Sequence, residues 1–191
     1  MAIDARPRCD WAFGSEAECA YHDTEWGKAV HGDDALFELL CLEGAQAGLS
    51  WRSVLIRREA YRAAFHGFRI ARVAAMAEEE LAACLANPGL IRNRQKIASV
   101  RANARAAQAL GAGGLDALLW SFVGGVPQIN AWRSRAEVPA QTAASIAMSK
   151  ALKRAGFAFV GSTIGYALMQ AGGMVNDHLT GCFCYPAARK A

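Results

Sequence analysis

The chain has 191 residues, of which 53% are hydrophobic and 20% charged, with six cysteines and a formal net charge of +4. This composition predicts one soluble domain over residues 1–191 and excludes a disordered tail, a collagen-like rod and a small disulfide scaffold. There is no apolar run of the ~20 residues that span a bilayer and no apolar stretch of a secretory signal, so we expect a cytoplasmic protein with reduced cysteines and no membrane partner.

Helical periodicity dominates the sequence, because Ala, Leu, Arg, Glu and Gln recur without alternating β-branched runs. Capping residues mark the predicted helix starts, and glycines or Asn-Pro-Gly mark the ends. In chain order the predicted helices are Ser15 to His22, Asp33 or Asp34 to Gly48, Ser50 to Phe65, 70–76, 78–86, 90–110, Leu115 to Val123, Thr142 to Gly156, and Ser162 or Thr163 to Gly172. The fold class is therefore all-α, a bundle of about eight to ten short helices that can divide into two lobes.

Four residues near the two ends of the chain have the spacing of metal ligands. Cys9 and His22 are separated by 12 residues, and His178 and Cys182 by 3. Together they would form a closed Cys2His2 set, which suits a structural, tetrahedral Zn²⁺. The alternative is that they are ordinary buried cysteines and hydrogen-bonded histidines, because the two pairs do not form a standard zinc finger. The remaining thiols are expected in the core or at the surface: Cys19, Cys41, Cys84 and Cys184.

Glu43 is a carboxylate on the apolar face of a predicted helix. The helical period puts it on the same side as Leu36, Leu40 and Ala47, whereas Glu38 lies on the polar side. An unpaired carboxylate is costly there, so Glu43 must have a partner: an arginine, a proton, a metal or a ligand. A buried ion pair or hydrogen bonds to the backbone would satisfy it without any function.

Aromatic residues are frequent around this glutamate. Aromatic faces beside one acidic group are suited to hold a flat, cationic or amine-bearing ring. Core packing alone would also explain these residues. The candidates are Trp11, Tyr21, Trp26 and Trp51.

A basic helix follows the turn Asn87–Gly89, with Arg92, Arg94 and Lys96 at its start. A helix N-terminus beside basic side chains can bind a phosphate, so these three residues are candidate DNA contacts. A solvated helix face is the alternative. A second basic group is predicted on the preceding helix: Arg52, Arg57, Arg58 and Arg62.

These features together resemble the bacterial 3-methyladenine DNA glycosylase I family over about residues 8–186. The resemblance lies in long blocks, which are highly specific. The blocks are Arg8-Cys9-x-Trp11, Tyr21–Gly27, Leu36–Glu38, Leu42–Trp51, Ile91–Ile97, Leu152–Arg154, Gly156–Gly161, Met169–Ala171 and Val175–His178 with Cys182. One departure is Glu18, where many relatives carry a tyrosine, and residues 128–139 match poorly.

The resemblance implies a helix-hairpin-helix bundle whose two ends are joined by Zn²⁺ on the four predicted ligands. It implies that Glu43 holds the damaged base, with Tyr21 and Trp51 around it, and that Trp11 and Trp26 line or support the pocket. Glu18 in place of the family's tyrosine bears on the shape and the base affinity of that pocket.

The activity implied is release of 3-methyladenine from alkylated double-stranded DNA, by a monomeric glycosylase without lyase activity. Methylation makes the adenine cationic, so the flipped base is already a good leaving group. Glu43 is suited to accept hydrogen bonds from its amine edge and to attract its charge. Related helix-hairpin-helix glycosylases carry an aspartate about twenty residues after the hairpin, but the segment Gln95–Leu115 contains no acidic residue. We therefore expect water to attack the labile bond without a dedicated strong base.

Two other functions share parts of this sequence pattern. A zinc-stabilised module that only binds DNA or a partner would use the metal and the basic helix, but it makes no demand on Glu43, Tyr21 or Trp51. A zinc hydrolase would need an open coordination position, and four protein ligands argue against one.

Overall fold

The computed structural model describes residues 4–186, and within them the chain forms ten α-helices and one pair of two-residue parallel strands. The helices are α1 (Glu16–Thr24), α2 (Asp33–Gln46), α3 (Trp51–Leu55), α4 (Arg58–Ala64), α5 (Ile70–Ala74), α6 (Glu78–Ala86), α7 (Arg94–Ala109), α8 (Gly114–Ser121), α9 (Ala143–Arg154) and α10 (Ser162–Ala171); the strands are β1 (Gln128–Ile129) and β2 (Val175–Asn176). The predicted all-α bundle is confirmed. Residues 1–3 and 187–191, the ends of the predicted domain, lie outside the described residues.

Helix α2 lies at the centre of the bundle. It packs against α3, α7, α8 and α10. Its residues Leu36 and Phe37 are fully buried and Leu40 is 1% exposed, because the helix is apolar on more than one side. In the described part of the chain no helix has both the length and the apolar character needed to cross a membrane.

The prediction that Asp33 or Asp34 caps α2 is wrong. The N-cap is Gly32, whose φ of 93° lies in the region that glycine tolerates. Asp33 instead accepts hydrogen bonds from the backbone N–H groups of Gly113 and Asp116, at 2.7 and 2.8 Å, at the start of α8. Asp34 accepts one from the Ile70 N–H, at 2.9 Å, at the start of α5. Both carboxylates therefore join α2 to a neighbouring helix.

Two predicted helix boundaries also need correction. The predicted helix from Ser50 to Phe65 is two helices, α3 and α4, because the Arg57 N–H bonds to the Val54 carbonyl in a tight turn between them. The predicted helix 90–110 begins only at Arg94, where the Asn93 side chain accepts a hydrogen bond from the Lys96 N–H. Asn93 therefore ends the turn after α6 and caps α7.

The predicted N-cap of α10, Ser162 or Thr163, is wrong by one or two residues. Its N-cap is Gly161, without a side-chain cap hydrogen bond, and Ser162 is the first helical residue. The segment after α8 is irregular as expected, but β1 within it pairs with β2 near the C-terminal end of the chain. This pairing holds the irregular segment beside the pocket described next.

Candidate functional site

A cavity of about 620 Å³ opens between the N-terminal segment, the α2–α3 connection and the C-terminal segment. All five predicted pocket residues line it, and Glu18 lines it with them. Arg92, Arg94 and Lys96 are not among its lining residues. Those that line it include Trp11, Glu18, Tyr21, Trp26, Glu43, Gln46, Leu49, Trp51, Arg135, Gln170 and Asp177.

Glu43 lies buried in this cavity, and its Oε2 has no hydrogen-bond partner among residues 4–186. Its side chain projects from α2 and only 3% of the residue is exposed. In residues 4–186 just two buried side-chain N or O atoms lack a hydrogen-bond partner, Glu43 Oε2 and Trp51 Nε1, and both residues line this cavity. Burial raises the pKa of Glu43 to about 8, so the carboxyl is mainly protonated in the empty cavity at neutral pH. One unused acceptor and one unused donor thus face the same space.

The aromatic side chains form a connected wall around that space. The rings of Tyr21 and Trp51 are 5.1 Å apart between centroids, and Trp11 lies 6.2 Å from Tyr21 and 5.1 Å from Trp26. Tyr21 is only 4% exposed, and its pKa is raised by burial and, secondarily, by the nearby Glu43 charge. Its hydroxyl therefore stays protonated and available as a hydrogen-bond donor.

The four predicted metal ligands meet in one buried cluster, which confirms the prediction that the two ends of the chain converge. The sulfur of Cys182 lies 3.4 Å from His22 Nε2 and 3.6 Å from His178 Nδ1. The sulfur of Cys9 lies 3.8 Å from His178 Nδ1. All four donor atoms are within 4.8 Å of one another, and all four residues are buried.

The groups around the cluster fit a bound cation. The other ring nitrogen of His22 lies 2.8 Å from Asp23 Oδ1, and that of His178 lies 3.1 Å from the Trp26 carbonyl. These acceptors orient the nitrogens that face the cluster, as they do in metal sites. The backbone N–H of Leu179 donates to Cys9 Sγ, and hydrogen bonds from Cys9, His178 and His22 lower the pKa of Cys182, which favours its thiolate. The chemistry of these donors can therefore hold a metal ion.

The cluster supports one wall of the cavity. The Trp11 ring packs edge-on against His22 at 5.3 Å, and the Trp26 ring against His178 at 4.7 Å. A side chain at Gly27, whose φ is 74°, would approach His178 Nε2 to 3.1 Å, so the chain needs glycine there. Loss of the cluster would thus disturb the aromatic wall.

The three predicted DNA contacts differ in their exposure and in their hydrogen bonds. Arg92 and Arg94 are exposed, and in residues 4–186 neither side chain has an ion pair or hydrogen bond. Lys96 Nζ instead donates to the carbonyls of Ala45 and Ala47, at 2.9 and 2.6 Å. In the second basic group, Arg58 pairs with Glu25.

Asp177 is a pocket residue that sequence reasoning missed. It is 2% exposed and accepts hydrogen bonds from four side chains, those of Asn130, Trp132, Tyr166 and Gln170, at 2.6–2.9 Å. It therefore fastens the irregular segment to α10 at the edge of the cavity. Its place beside His178 in a resembling block was the only signal in the sequence, because two donors lie in the poorly matching region.

A family model described as methyladenine glycosylase matches residues 11–185. The chain belongs to the methyladenine glycosylase family. The match includes every cavity-lining residue except Cys9 and Asp10, and three of the four residues of the cysteine and histidine cluster.

Relatives within the methyladenine glycosylase family are close over nearly the full chain. DNA-3-methyladenine glycosylase 1 of Escherichia coli (strain K12) is 49% identical over 94% of this chain and 97% of its own length. A crystal structure of a 3-methyladenine DNA glycosylase I superposes with a TM-score of 0.91 at 52% identity, covering 94% of this chain and 100% of the other. A structure described as the basis of 3-methyladenine recognition by the Staphylococcus aureus enzyme superposes with a TM-score of 0.89 at 30% identity. The superposition covers 96% of this chain and 98% of the other.

Proposed function

We propose that this protein is a base-excision repair glycosylase that hydrolytically releases 3-methyladenine from alkylated double-stranded DNA. The names of its relatives support this activity. The observation that carries it is the pair of unpartnered buried groups, Glu43 Oε2 and Trp51 Nε1, in an aromatic cavity. Unpaired buried polar atoms are costly to folding, and a ligand that pairs both of them explains why they are kept.

A methylated adenine can supply the hydrogen-bond partners that Glu43 and Trp51 lack in the empty cavity. Its exocyclic amine can donate to the Glu43 carboxylate, and its ring nitrogens can accept from the Trp51 N–H. The flat ring can stack on Tyr21 and Trp51, while Trp11 and Trp26 close the wall. A pocket of about 620 Å³ is in the range of small-molecule sites.

Charge gives the site its preference for the lesion over normal adenine. Because the pKa of Glu43 is about 8 in the empty pocket, ionising it there is unfavourable near neutral pH. A cationic base favours the ionised carboxylate, whereas neutral adenine does not. Binding the lesion therefore couples to release of the Glu43 proton, and neutral bases gain no such attraction.

The reaction then needs little further chemistry from the protein. The flipped nucleotide enters the pocket, the N9–C1′ bond breaks, and its electron pair passes to the base, which leaves neutral. The oxygen of water bonds to C1′ and loses its proton to solvent. The absence of an acidic residue from Gln95 to Leu115 agrees with a step that uses no dedicated strong base. No covalent intermediate with a lysine is required, which fits a glycosylase without lyase activity.

Zn²⁺ is the ion we assign to the Cys9, His22, His178 and Cys182 cluster. Two thiolates and two imidazoles form a set that zinc prefers, and four protein ligands close its coordination. When bound, the ion supplies a cross-link between the two ends of the chain. The role is structural, so the ion takes no part in the hydrolysis.

We further propose that the turn between α6 and α7 is the hairpin of a helix-hairpin-helix element that contacts DNA. Arg92 and Arg94 are exposed at this turn and are free to meet phosphates. The protein acts as a monomer in this proposal, because the pocket of one chain accommodates one flipped base. Its location is the cytoplasm, in association with the DNA of the nucleoid.

Base release from methylated DNA tests the proposed activity. Chromatography of the released bases should show free 3-methyladenine, and Glu43→Gln should lower the rate about 10²-fold, because the variant cannot supply negative charge to the leaving base. Glu38→Gln is the matched control, since Glu38 is on the same helix but pairs with Arg62 outside the cavity. An unchanged rate in Glu43→Gln would remove Glu43 from the mechanism.

Binding of the free base distinguishes the proposed glycosylase from a module that only binds DNA. Free 3-methyladenine should quench tryptophan fluorescence, because Trp11, Trp26 and Trp51 line the pocket. Binding of DNA without release of any base, and without a response to the free base, would contradict the proposed activity.

A further inference from the structure

Lys96 lies at the start of α7, but its ammonium group is turned inward to α2. Its Nζ donates to the carbonyl oxygen of Ala45 at 2.9 Å and to that of Ala47 at 2.6 Å. The side chain is half-buried, and burial lowers the pKa of Lys96. Its two neighbours in the basic motif, Arg92 and Arg94, are exposed. The three cations of one motif therefore have different surroundings.

The carbonyls that Lys96 binds lie in the last turn of α2 and at its C-cap, between the two unpartnered groups of the pocket in the sequence. Helix α2 carries Glu43 and ends at Gln46, and α3 begins with Trp51. The last carbonyls of a helix lack partners within it and carry its partial negative charge, so a cation there is stabilising.

Few other bonds hold this turn in position. The Ala47 N–H bonds to the Gly44 carbonyl at 3.3 Å, and the Leu49 N–H bonds to the Gln46 carbonyl at 2.6 Å. Gly48 has a φ of 75°, where a non-glycine residue would be strained. These bonds lie within the turn itself, whereas the two from Lys96 attach it to a different helix.

Two other cations of α7 follow the same pattern. Arg101 donates to the Met76 carbonyl and pairs with Glu78, and Arg105 donates to the Ala74 carbonyl. These cations are thus used to fasten the ends of helices packed against α7. Lys96 is the member of this group that binds backbone beside the pocket, at the end of the helix that carries Glu43.

We propose that Lys96 is a positioning residue of the base pocket, which fixes the α2–α3 turn and hence the separation of Glu43 and Trp51, and that it is not a phosphate ligand. This inference rests on the proposed glycosylase function. It corrects the role that the basic motif suggests, and it links the DNA-facing turn before α7 mechanically to the base-binding turn. Displacement of a binding group by a fraction of an ångström is enough to weaken a preorganised site.

Lys96→Met tests the proposal, because methionine keeps the apolar stem but has no charge and no donor. We expect affinity for free 3-methyladenine, measured by tryptophan quenching, to fall about tenfold, with a similar loss in base release. Lys96→Arg should recover most of the affinity, because a guanidinium can also donate to two carbonyls. If Lys96→Met does not fold, Lys96→Gln takes its place with the same expected loss.

The salt dependence of DNA binding separates the two roles. The slope of log K against log salt concentration is negative, and loss of one phosphate contact reduces its magnitude by about 0.9, so Arg94→Gln should show a slope shallower by that amount. Lys96→Met should keep the slope of the unmodified protein. A slope that is shallower by about 0.9, with unchanged affinity for the free base, would overturn the proposal.

Hydrogen exchange gives a readout that does not depend on the activity. The Leu49 amide should exchange faster in Lys96→Met than in the unmodified protein, because the turn has lost its attachment to α7. If the unmodified protein neither binds nor releases 3-methyladenine, the proposed function fails while this loss of protection still identifies the structural link. Unchanged exchange at Leu49 would contradict the link itself.

Discussion

At the scale of single residues, Glu43 combines a cost to folding with the role in base binding that we propose for it. The carboxyl is buried, lacks a partner for Oε2, and has a pKa of about 8 because of burial. The folded protein therefore holds a proton on Glu43 that the unfolded chain gives up near pH 4.5. Residues kept for function at the expense of stability have this character.

Glu43→Gln should accordingly increase the free energy of unfolding, and the increase should depend on pH. A raised pKa favours the folded state below the unfolded value of 4.5, and this contribution is lost as the pH rises toward about 8. A pKa that differs by one between the folded and unfolded states corresponds to about 1.4 kcal/mol. We expect the free energy of unfolding of Glu43→Gln, relative to the unmodified protein, to rise by a few kcal/mol as the pH increases from 5 to 8. Above pH 8 the difference should stay constant, and urea unfolding measures it.

Glu38→Gln provides the comparison for this measurement. Glu38 pairs with Arg62 at 2.7 Å on the other side of α2, so its replacement should lower stability slightly or leave it unchanged. A stability difference between Glu43→Gln and the unmodified protein that does not change from pH 5 to 8 would contradict the raised pKa.

The position of Glu43 could be predicted from the sequence, but its lack of a partner could not. Periodicity is a local property, and it is sufficient to put a carboxylate on an apolar helix face. Whether an arginine reaches that carboxylate depends on side chains from distant segments. The same limit applies to Lys96, whose neighbours in the sequence suggest phosphate binding and whose carbonyl partners are 49 and 51 residues away.

At the scale of helices, reciprocal caps join α2 to α8. Asp33 accepts from two N–H groups at the start of α8, and Asp116 of α8 accepts from the Gly32 N–H at the start of α2, at 2.5 Å. Each helix thus supplies the cap of the other. The junction thus fixes the N-terminal end of α2, whose C-terminal half carries Glu43.

Asp33→Ala should lower the free energy of unfolding by about 1–2 kcal/mol, because it leaves the N–H groups of Gly113 and Asp116 without their acceptor. Asp33→Asn keeps one of the two acceptor oxygens and should lose about half as much. Denaturant unfolding of the two variants measures both values. Equal stability of Asp33→Ala and the unmodified protein would mean that solvent replaces the cap.

Most helices of the bundle could be predicted from periodicity and capping patterns, and the two main errors arise from hydrogen bonds that these patterns do not mark. The helix from Ser50 to Phe65 is interrupted at Ile56 and Arg57, where no glycine or proline marks the break. The pattern at Asp33 suggests a cap of its own helix, because a capping pattern does not reveal which N–H groups lie nearby. The hydrogen bonds of Asp33 come from tertiary packing, whereas the break at Arg57 is made by a local bond to the Val54 carbonyl that no residue pattern marks.

At the scale of the whole molecule, the cysteine and histidine cluster closes the chain on itself. Its contacts join His22 to Cys182 and Cys9 to His178, which are 160 and 169 residues apart. The zinc ion that we propose there would add its binding free energy to folding, because the unfolded chain does not hold the four residues together. The four residues of the cluster could be singled out from spacing and resemblance, because each pair is local, although only the fold brings the two pairs together.

Removal of the metal should therefore destabilise the protein and weaken its pocket together. Chelation, or Cys182→Ala, should lower the melting temperature by roughly 10 °C, since a structural zinc contributes directly to folding free energy. Affinity for free 3-methyladenine should fall as well, because Trp11 and Trp26 pack on the ligand histidines. Cys84→Ala, which removes a buried thiol on α6 outside the cluster, should keep one zinc per chain by elemental analysis. Full metal loss with an unchanged melting temperature would exclude a structural role for the ion.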